Sequence, residues 1–502
     1  MADIELIITN ATIATASDIL PNTDIAISNG KIYLLGQNLP SLFPTAPTLS
    51  ADGAYVLPGG VDSHVHLQQD NSPTGDTWET GTRSAIAGGT TTVLAFASQK
   101  RTDESLFPVV EEYHRRAGGN AFCDYGFHLI LSNPTEKILA EELPVLVKEE
   151  GISSVKLYMT YQPMRLRDSE LLEVMGTTRS LGMTTMIHAE NADMIDWMTK
   201  RLESRGRTEP YAHALARPTI AEDEATYRAL SLAELADVPI LIVHMSSSVA
   251  AKHVRRAQTK LLPVHAETCP HYLFFTSEKL KGKDFHGAMC VCSPALRESP
   301  MDLQAMWDGL VNGTFTTFSS DHAPSKFDHP LGKKKGTATF TQIPNGLPGV
   351  ETRMPSLFCA GVLTGRLSVQ KFVELTASNP AKLYGLSDRK GAIAPGYDAD
   401  LVIWYPTAEQ AEAVQGGSRS RATMKLFQLK NEMLHHGIDY TPFEGMEFTN
   451  WPRYTILRGK VVWNRDGGGI VGCKGDGGYL KRGRSTLSGP RGVFVNEFDP
   501  YQ

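Results

Sequence analysis

The central part of the chain is dominated by a regular alternation of strand-like and helix-like segments. Eight short apolar runs read as strands, from "GGVDSHVHL" (59–67) to "TFTTFSSDH" (314–322). Helix-like stretches such as "DEATYRALSLAELA" (223–236) lie between them. Eight strands alternating with helices predict an α/β fold, a (β/α)₈ barrel of the TIM type. An open doubly wound sheet is the alternative, but no GxGxxG or GxxxxGK[ST] motif follows the first strand, which disfavours a nucleotide-binding fold.

Both ends of the chain differ from this pattern and are rich in short strands. The N-terminal region has a hairpin signal at "SNGK" (28–31), and "LRGKVVW" (457–463) is again a tight turn between strands. We therefore expect a smaller β-sandwich domain built from both termini. The tail is either a mobile end or an arm that reaches a neighbouring subunit in an oligomer. The predicted division is 1–57 and 394–470 for the β-sandwich, 58–393 for the barrel and 471–502 for the glycine-rich tail.

Charge and composition narrow the classes of function. The 502 residues include 49 Lys and Arg against 55 Asp and Glu, a net charge of −6, which disfavours nonspecific nucleic-acid binding. No apolar run approaches the roughly 20 residues that cross a membrane, and the start "MADIELIITNATI" does not resemble a signal peptide. Six scattered cysteines without a CxxC pair are typical of free thiols in a reducing compartment. We expect a cytoplasmic protein without nucleic-acid or membrane partners.

Residues with metal-binding side chains occur at the ends of the predicted strands. His64 and His66 end the first strand, and His188, His244 and Asp321 end the fifth, sixth and eighth. In a barrel enzyme, functional residues gather at the C-terminal ends of the strands. Alternate strand residues point to one face, so the two imidazoles of "HVH" can reach one ion such as Zn²⁺. An HxH pair alone is a weak signal, but ligand-type residues on several strands together predict a metal site.

Lys156 lies in the apolar run "GISSVKLYMTY" (151–161), which reads as the fourth strand. An unpaired buried ammonium is costly, so this side chain must reach solvent, pair or be modified. A lysine amine that adds carbon dioxide becomes an anionic carbamate, whose two oxygens can bridge two metal ions. The alternative is that Lys156 pairs with a nearby acid, and the residues themselves leave both interpretations open.

Asp321 follows the eighth strand in the motif "SSDHAP" (319–324). A bound divalent ion lowers the pKa of its water towards neutrality. An Asp beside that water can accept its proton and later deliver it to a leaving nitrogen. A helix N-cap is the alternative role for such an Asp, and the strand-end position favours the catalytic one.

These motifs resemble those of the amidohydrolase superfamily, and within it those of the dihydropyrimidinase and hydantoinase family of cyclic amidases. The resemblance covers nearly the whole chain. It rests on motifs in the family's order: "PGGVDSHVHL", "AGGTTTV", "VKLYMTY", "HAEN", "VHMSS", "ETCPHYL", "CSPALR", "SSDHAP", "PNGLPGVETR" and "GAIAPGYDADLVIW". It implies a (β/α)₈ barrel with a β-sandwich from both chain ends, a homotetramer, and two divalent ions per subunit, usually Zn²⁺.

The resemblance also implies the metal ligands. They would be His64, His66, Lys156, His188, His244 and Asp321. The first two histidines would bind the more buried ion, and the other two would bind the second. Lys156, as N6-carboxylysine, would bridge the ions, and Asp321 would join the first ion and act as the general base.

Three further residues match family positions that contact substrate. Tyr161 would donate a hydrogen bond to the developing oxyanion. The backbone groups of Ser293 and Asn345 would bind the N–H and C=O edge of the ring. From the residues alone, Tyr161 could equally pack against the strand, and the other two are loop residues beside Pro and Gly.

The reaction implied is hydrolytic ring opening of a small cyclic amide by hydroxide held between two metal ions. Dihydrouracil or dihydrothymine would give an N-carbamoyl-β-amino acid, and hydantoins would be related substrates. Dihydroorotase-like relatives usually carry an Arg just after the HxH pair, where this chain has Leu67 and Gln68. An allantoinase-type ureide hydrolase and a non-enzymatic scaffold protein stay as alternatives. The former typically lacks the Tyr and the "NGLPGVE" pattern, and the latter has lost metal ligands.

Two loops carry separate expectations. The polar stretch "QQDNSPTGD" (68–76) replaces the apolar, aromatic-containing stretch of many relatives and disfavours a bulky aromatic hydantoin, with Leu67 and Tyr158 as candidate pocket walls. The basic segment "GKKKG" (332–336) predicts a solvated loop, or alternatively a mobile lid near the eighth strand.

Overall fold

The computed structural model describes residues 3–413 and 423–502. Residues 414–422, inside the predicted second part of the β-sandwich, lie outside the described residues. The strands in chain order are β1 (Leu6–Ala14), β2 (Ile19–Ser28), β3 (Lys31–Gly36), β4 (Thr48–Ser50), β5 (Tyr55–Pro58), β6 (Gly60–Val65), β7 (Thr90–Ser98), β8 (Asp124–Ile130), β9 (Ser154–Tyr158), β10 (Thr184–His188), β11 (Ile240–Ile242), β12 (Val264–Thr268), β13 (Thr317–Phe318), β14 (Leu401–Trp404), β15 (Phe427–Gln428), β16 (Glu447–Phe448), β17 (Pro452–Leu457), β18 (Lys460–Asn464) and β19 (Gly469–Ile470).

Helices connect and cover these strands. The α-helices are α1 (Leu39–Leu42), α2 (Trp78–Ala87), α3 (Phe107–Ala117), α4 (Leu143–Val145), α5 (Asp168–Leu181), α6 (Ala192–Glu203), α7 (Tyr211–Ala216), α8 (Thr219–Ala236), α9 (Ser248–Thr259), α10 (Pro270–Phe274), α11 (Pro300–Asn312), α12 (Arg353–Leu357), α13 (Val369–Val373), α14 (Asn379–Leu383) and α15 (Ala408–Ala413). Short 3₁₀ segments occur at Ser277–Lys281, His286–Cys290, Lys333–Gly336, Phe340–Gln342, Asn431–Met433 and Val495–Glu497, and π-helical turns at Ile138–Glu142, Leu146–Glu150, Phe358–Val362 and Glu374–Ser378. Among the described helices, none is both long enough and apolar enough to cross a membrane.

The parallel strands β6 to β13 form the barrel. Each strand pairs with the next one in sequence. A parallel bridge between Val65 and His322 brings β6 beside the segment after β13 and closes the ring. Seven of these strands are buried along essentially their whole length, as expected when side chains fill the barrel inside and helices cover it outside. Each of the eight predicted strands overlaps an observed one, and the (β/α)₈ prediction is confirmed.

A second sheet is built from both ends of the chain, as predicted. Its strand order is β19-β18-β17-β14-β5-β1-β2-β3, with β4 beside β1. N-terminal β5 therefore pairs with C-terminal β14, where Val56 lies opposite Ile403. Both side chains are fully buried in an apolar core that is separate from the main barrel core. Because β5 is followed directly by the barrel strand β6, this pairing holds the second sheet next to the barrel.

Part of the glycine-rich tail lies against its own barrel. Tyr479 forms a parallel bridge with Tyr125 of β8, and the Leu480 N–H donates to the Tyr125 carbonyl at 2.7 Å. The Leu480 side chain is 3% exposed and belongs to the same apolar cluster as Met186 and Leu241 of the barrel strands. These residues therefore do not form a mobile end. Whether another part of the tail reaches a neighbouring subunit stays a prediction.

Candidate metal centre and substrate pocket

The barrel strands deliver the predicted metal ligands to one end of the barrel. His64 is the penultimate residue of its strand and His188 the last of its own, while His244 and Asp321 follow β11 and β13 within three residues. Since the strands are parallel, their carboxyl ends meet at the same rim. Residues separated by more than 250 positions in sequence are thereby brought together.

Three of these side chains form a compact donor set. The ligand atoms of His64, His244 and Asp321 all lie within 4.8 Å of one another, and all three residues are buried. His64 Nε2 lies 3.1 Å from Asp321 Oδ1. The Nδ1 atom of His244 is buried and has no hydrogen-bond partner within the described residues. Imidazole nitrogens and a carboxylate oxygen are the donors that Zn²⁺ prefers, and an unpartnered buried nitrogen fits a ligand outside the chain. The donor set therefore fits a divalent metal ion.

The other two predicted histidines border this set. His66 Nε2 lies 3.6 Å from Asp321 Oδ1. The rings of His188 and His244 lie with their centroids 4.5 Å apart in an edge-to-face arrangement. Three imidazoles thus lie near the Asp321 carboxylate, and the fourth, that of His188, lies beside His244. This arrangement offers enough nitrogen donors for more than one ion.

Lys156 lies within this group and is fully buried. Its Nζ is 3.2 Å from His64 Nε2, and it approaches the Phe96 ring at 5.0 Å from the centroid. No carboxylate in the described part of the chain forms an ion pair with it, so the interpretation as an ordinary Lys–acid pair gains no support. Burial lowers the pKa of Lys156 to about 8, although Asp321 and Glu267 oppose this shift.

Burial sets the charge state of the remaining ligands. It lowers the pKa of His64 and His244 well below the usual range of histidine and that of His66 to about 3. Neutral imidazole is the form that binds metal ions. Because these histidine pKa values are lowered, the positively charged imidazoles are disfavoured before any ion binds. Burial also raises the pKa of Asp321 to about 7.

Two buried glutamates contact the histidines and were not predicted from the sequence. Glu267 of β12 contacts His64 Nδ1, and Glu190 Oε2 lies 2.7 Å from His188 Nε2. Arg217 donates to Glu190 at 2.5 Å. Such contacts fix the ring orientation and the tautomer of a metal-binding histidine. The sequence signal was an acidic residue in each of the two stretches "HAEN" and "HAET", which are otherwise apolar or strand-like.

The three predicted substrate residues are brought together at the mouth of this centre. The Asn345 side-chain amide donates to Tyr161 Oη at 2.9 Å. The Ser293 hydroxyl is buried and without a partner within the described residues. Burial raises the pKa of Tyr161, which keeps its hydroxyl protonated and able to donate a hydrogen bond.

The six predicted metal ligands and the three predicted substrate residues all line one cavity of about 230 Å³. Its walls come from the loops after β6, β9 and β13 and from the segments of Ser293 and Asn345. Tyr158 lines it as predicted, whereas Leu67 is fully buried in the main core instead. Gln68, Gln69, Asn71 and Ser72 of the polar loop contribute to the lining. The cavity has the size for a small ring.

Backbone strain marks the same residues. Tyr161, His244 and Asp321 have φ angles of 63°, 38° and 46°. Non-glycine residues rarely adopt this left-handed region, at a cost of about 1–3 kcal/mol, and such strain concentrates at functional sites. Three strained residues with side chains at one cavity support a functional site here.

Comparison with known proteins identifies the family of this centre. The amidohydrolase family matches residues 55–462. The D-hydantoinase of Geobacillus stearothermophilus is 40% identical over 482 residues, which cover 95% of this chain and 96% of the relative. The D-phenylhydantoinase of Escherichia coli (strain SE11) is 35% identical over 480 residues, 95% and 98% of the two chains.

A solved structure agrees with this match. The crystal structure of dihydropyrimidinase from Brevibacillus agri NCHU1002 superposes with a TM-score of 0.88 at 37% identity and covers 95% of this chain and 98% of its own. Family match, near-complete coverage on both sides and the His/Asp cluster at the barrel rim point to the same assignment. The chain belongs to the amidohydrolase family, among the cyclic amide hydrolases of the dihydropyrimidinase and hydantoinase type.

Proposed function

We propose that this protein opens the ring of dihydropyrimidines, dihydrouracil and dihydrothymine, with hydantoins as related substrates. The observation that carries the proposal is the convergence of Tyr161, Asn345 and Ser293 on a small cavity directly above the buried His/Asp cluster. Relatives named D-hydantoinase and dihydropyrimidinase support it. The polar loop beside the cavity favours a small, unsubstituted or methyl-substituted ring over an aromatic one.

The proposed site holds two divalent metal ions, with Zn²⁺ as the expected ion. The ligands are His64, His66, Lys156, His188, His244 and Asp321. When bound, such ions activate water for attack at neutral pH and polarise a carbonyl oxygen. The four imidazoles at one cavity, together with Lys156 and Asp321, provide more donors than one ion needs and support a site for two ions.

Lys156 is proposed to carry a carboxylate as N6-carboxylysine. The side chain is fully buried among imidazoles and has no acidic partner in the described structure. The ammonium first loses one proton; addition of carbon dioxide to the neutral Nζ then forms an N–C bond and releases a second proton, so that a cationic group is replaced by an anionic one. An anion at this position would offset the mutual repulsion of two cations held close together. This supports the carbamate over a free lysine.

Asp321 is the proposed general base. Its carboxylate lines the cavity next to His64 and His66. It accepts a proton from the attacking water, whose oxygen forms a bond to the ring carbonyl carbon beside the imide N–H. The C–N bond then breaks, and Asp321 returns the proton to the leaving nitrogen. The product from dihydrouracil is N-carbamoyl-β-alanine.

Tyr161 is proposed to stabilise the negative charge on the carbonyl oxygen. Because its Oη accepts a hydrogen bond from Asn345, its own proton remains available to donate. The backbone groups of Ser293 and Asn345 bind the polar edge of the ring and orient the carbonyl. The strained φ of Tyr161 supports a position set by function rather than by packing.

The experiment is a parallel assay of the purified, zinc-supplied protein with dihydrouracil, hydantoin, allantoin and dihydroorotate. We expect the highest kcat/KM with dihydrouracil and a lower value with hydantoin. Faster turnover of allantoin would contradict the roles given to Tyr161 and Asn345. A protein that binds no metal and turns over none of the four would favour a scaffold function instead.

A further inference from the structure

Lys333 departs from the expectation for the basic segment "GKKKG". Lys334 and Lys335 are exposed, as a solvated loop predicts, but Lys333 has 0% of its surface accessible. Gly332 explains the inward turn: a Cβ at this position would lie 2.0 Å from the Lys326 carbonyl oxygen, so only glycine allows the chain to pass there. The Lys333 N–H donates to that same oxygen at 2.8 Å. This loop is therefore built to direct one of its three lysines into the protein.

The buried ammonium is fully hydrogen-bonded by main-chain carbonyls. Lys333 Nζ donates to Val291 O at 3.0 Å, to Pro344 O at 2.7 Å and to Gly346 O at 2.8 Å. An ammonium group has three donors, and all three are used. No carboxylate among the described residues pairs with it. Burial lowers the pKa of Lys333 to about 7. The three hydrogen bonds from the charged group offset part of the free-energy cost of burying it.

The three carbonyls belong to the two loops that carry the proposed ring-binding residues. Val291 lies two residues before Ser293, and Pro344 and Gly346 flank Asn345. The loops also meet directly, because the Gly346 N–H donates to Val291 O at 3.0 Å. Lys333 thus bonds to the backbone on both sides of the edge at which the ring would be held.

We propose that Lys333 is a positioning residue for substrate: its ammonium fastens the Ser293 loop to the Asn345 loop and fixes the spacing of the backbone groups that bind the ring. This inference rests on the proposed function for the identity of the ring. It does not involve the metal ligands, since each of the three acceptors lies on a loop that carries none of them. We call these three hydrogen bonds of the Lys333 ammonium the clamp. Its loss should weaken substrate binding more than it slows the chemical step.

The test compares Lys333→Met with Lys335→Met, a matched change at an exposed lysine of the same segment. With dihydrouracil, or with hydantoin if that is the better substrate, we expect K333M to raise KM by about tenfold or more. Its kcat should change by less than about threefold, and metal content should stay equal to that of the wild type. K335M should match the wild type in all three. An unchanged KM in K333M, or a loss of bound metal together with kcat, would overturn the proposal.

Hydrogen–deuterium exchange of the substrate-free protein gives a readout that does not depend on activity. In K333M, peptides covering 289–296 and 341–348 should exchange at least about tenfold faster than in K335M, while the barrel strands stay protected. Equal exchange in both variants, or faster exchange throughout the protein, would overturn the clamp. If the wild type opens none of the rings, the proposed function fails, and the exchange comparison alone decides on Lys333.

If K333M is recovered only unfolded, Lys333→Arg replaces it. A planar guanidinium keeps the charge but cannot direct donors to three oxygens around one nitrogen position. A KM raised severalfold at retained kcat, with faster exchange confined to the two loops, would support the proposal. Wild-type KM and wild-type exchange in K333R would overturn it.

Discussion

His64 and His188 each use one ring nitrogen to contact a buried glutamate. Glu267 contacts Nδ1 of His64, which leaves Nε2 facing Asp321 and Lys156. Glu190 contacts Nε2 of His188. The glutamates therefore select which nitrogen of each ring is available to a metal ion, and outer contacts of this kind typically change metal affinity 10–100-fold when removed.

The proposed bridging role of Lys156 predicts the outcome of Lys156→Ala. The variant should fold, because Lys156 forms no ion pair with a carboxylate of the described residues. It should retain at most about one ion per subunit and lose activity, since the anionic bridge is gone. Elemental analysis of the purified protein measures the metal content. Two tightly held ions in K156A would contradict the bridge.

The proposed oxyanion role of Tyr161 gives a separate prediction, because such a hydroxyl would act only when charge develops on the carbonyl oxygen. Tyr161→Phe should lower kcat by about 10²–10³-fold, the usual effect of losing one oxyanion donor. KM should change far less, and bound metal should not change. Steady-state kinetics with the best substrate measure both constants. A large rise in KM at unchanged kcat would assign Tyr161 to ground-state binding instead.

The residues of this site differ in how far the sequence could predict them. The HxH pair, the lysine in an apolar strand and the strand-end Asp carry their own signals, because their chemistry conflicts with their surroundings. Glu267 stands out only as an acidic residue in a strand-like stretch, which does not reveal its partner, and Lys333 carries no signal. One contacts a histidine 203 positions away, and the other bonds to backbone carbonyls, whose positions no residue pattern encodes. Partners of this kind are decided by the fold.

At the scale of elements, the eight strands were predictable, whereas the role of the tail was not. Barrel strands are continuous apolar runs, which stand out in sequence. The tail is rich in glycine and basic residues, which predicts exposure, yet Arg482 is 5% exposed and donates to the Ser154 hydroxyl at 2.9 Å. Burial lowers the pKa of this guanidinium to about 10. The tail residues Leu480 and Arg482 are buried because they fit against the assembled barrel strands, and the sequence of the tail alone does not show that fit.

The packing of Leu480 predicts that the tail stabilises the barrel. Leu480→Ala removes a side chain from the cluster formed by the barrel strands and should lower the free energy of unfolding by about 2–5 kcal/mol. Val493→Ala is the matched control, because Val493 is 57% exposed. Thermal unfolding of both variants, scanned at one rate, measures the difference. Equal midpoints would show that the tail contributes nothing to the barrel.

At the scale of the whole molecule, a buried charge cluster joins the barrel to the second sheet. Lys390 Nζ lies 2.7 Å from Asp124 Oδ2, at the start of β8, and 2.6 Å from Asp400 Oδ2, just before β14. A third carboxylate, that of Asp398, lies at 3.0 Å. Burial acts to raise the pKa of Asp124 and Asp398, but pairing with Lys390, together with Arg458 at Asp124 and Arg389 at Asp398, outweighs it and lowers both. Lys390 is therefore the one cation of this cluster that contacts all three carboxylates, while Arg458 pairs with Asp124 and Arg389 with Asp398.

Lys390→Met should destabilise the protein in a pH-dependent way. In the wild type, the lowered pKa values of Asp124 and Asp398 contribute stability above their unfolded value of about 3.8, which is lost as the pH falls through the folded values. In K390M, Asp124 keeps Arg458 and Asp398 keeps Arg389, but burial is opposed less strongly, so both pKa values should rise and the stability that the wild type gains above pH 3.8 should shrink. Removing one partner of a buried pair costs about 3–5 kcal/mol, and the difference from wild type should be larger at pH 8 than at pH 5. Unfolding midpoints at both pH values measure this difference in stability, with Lys382→Met, a change at an exposed lysine, as the control. A difference independent of pH would mean that Lys390 stabilises the junction by packing alone.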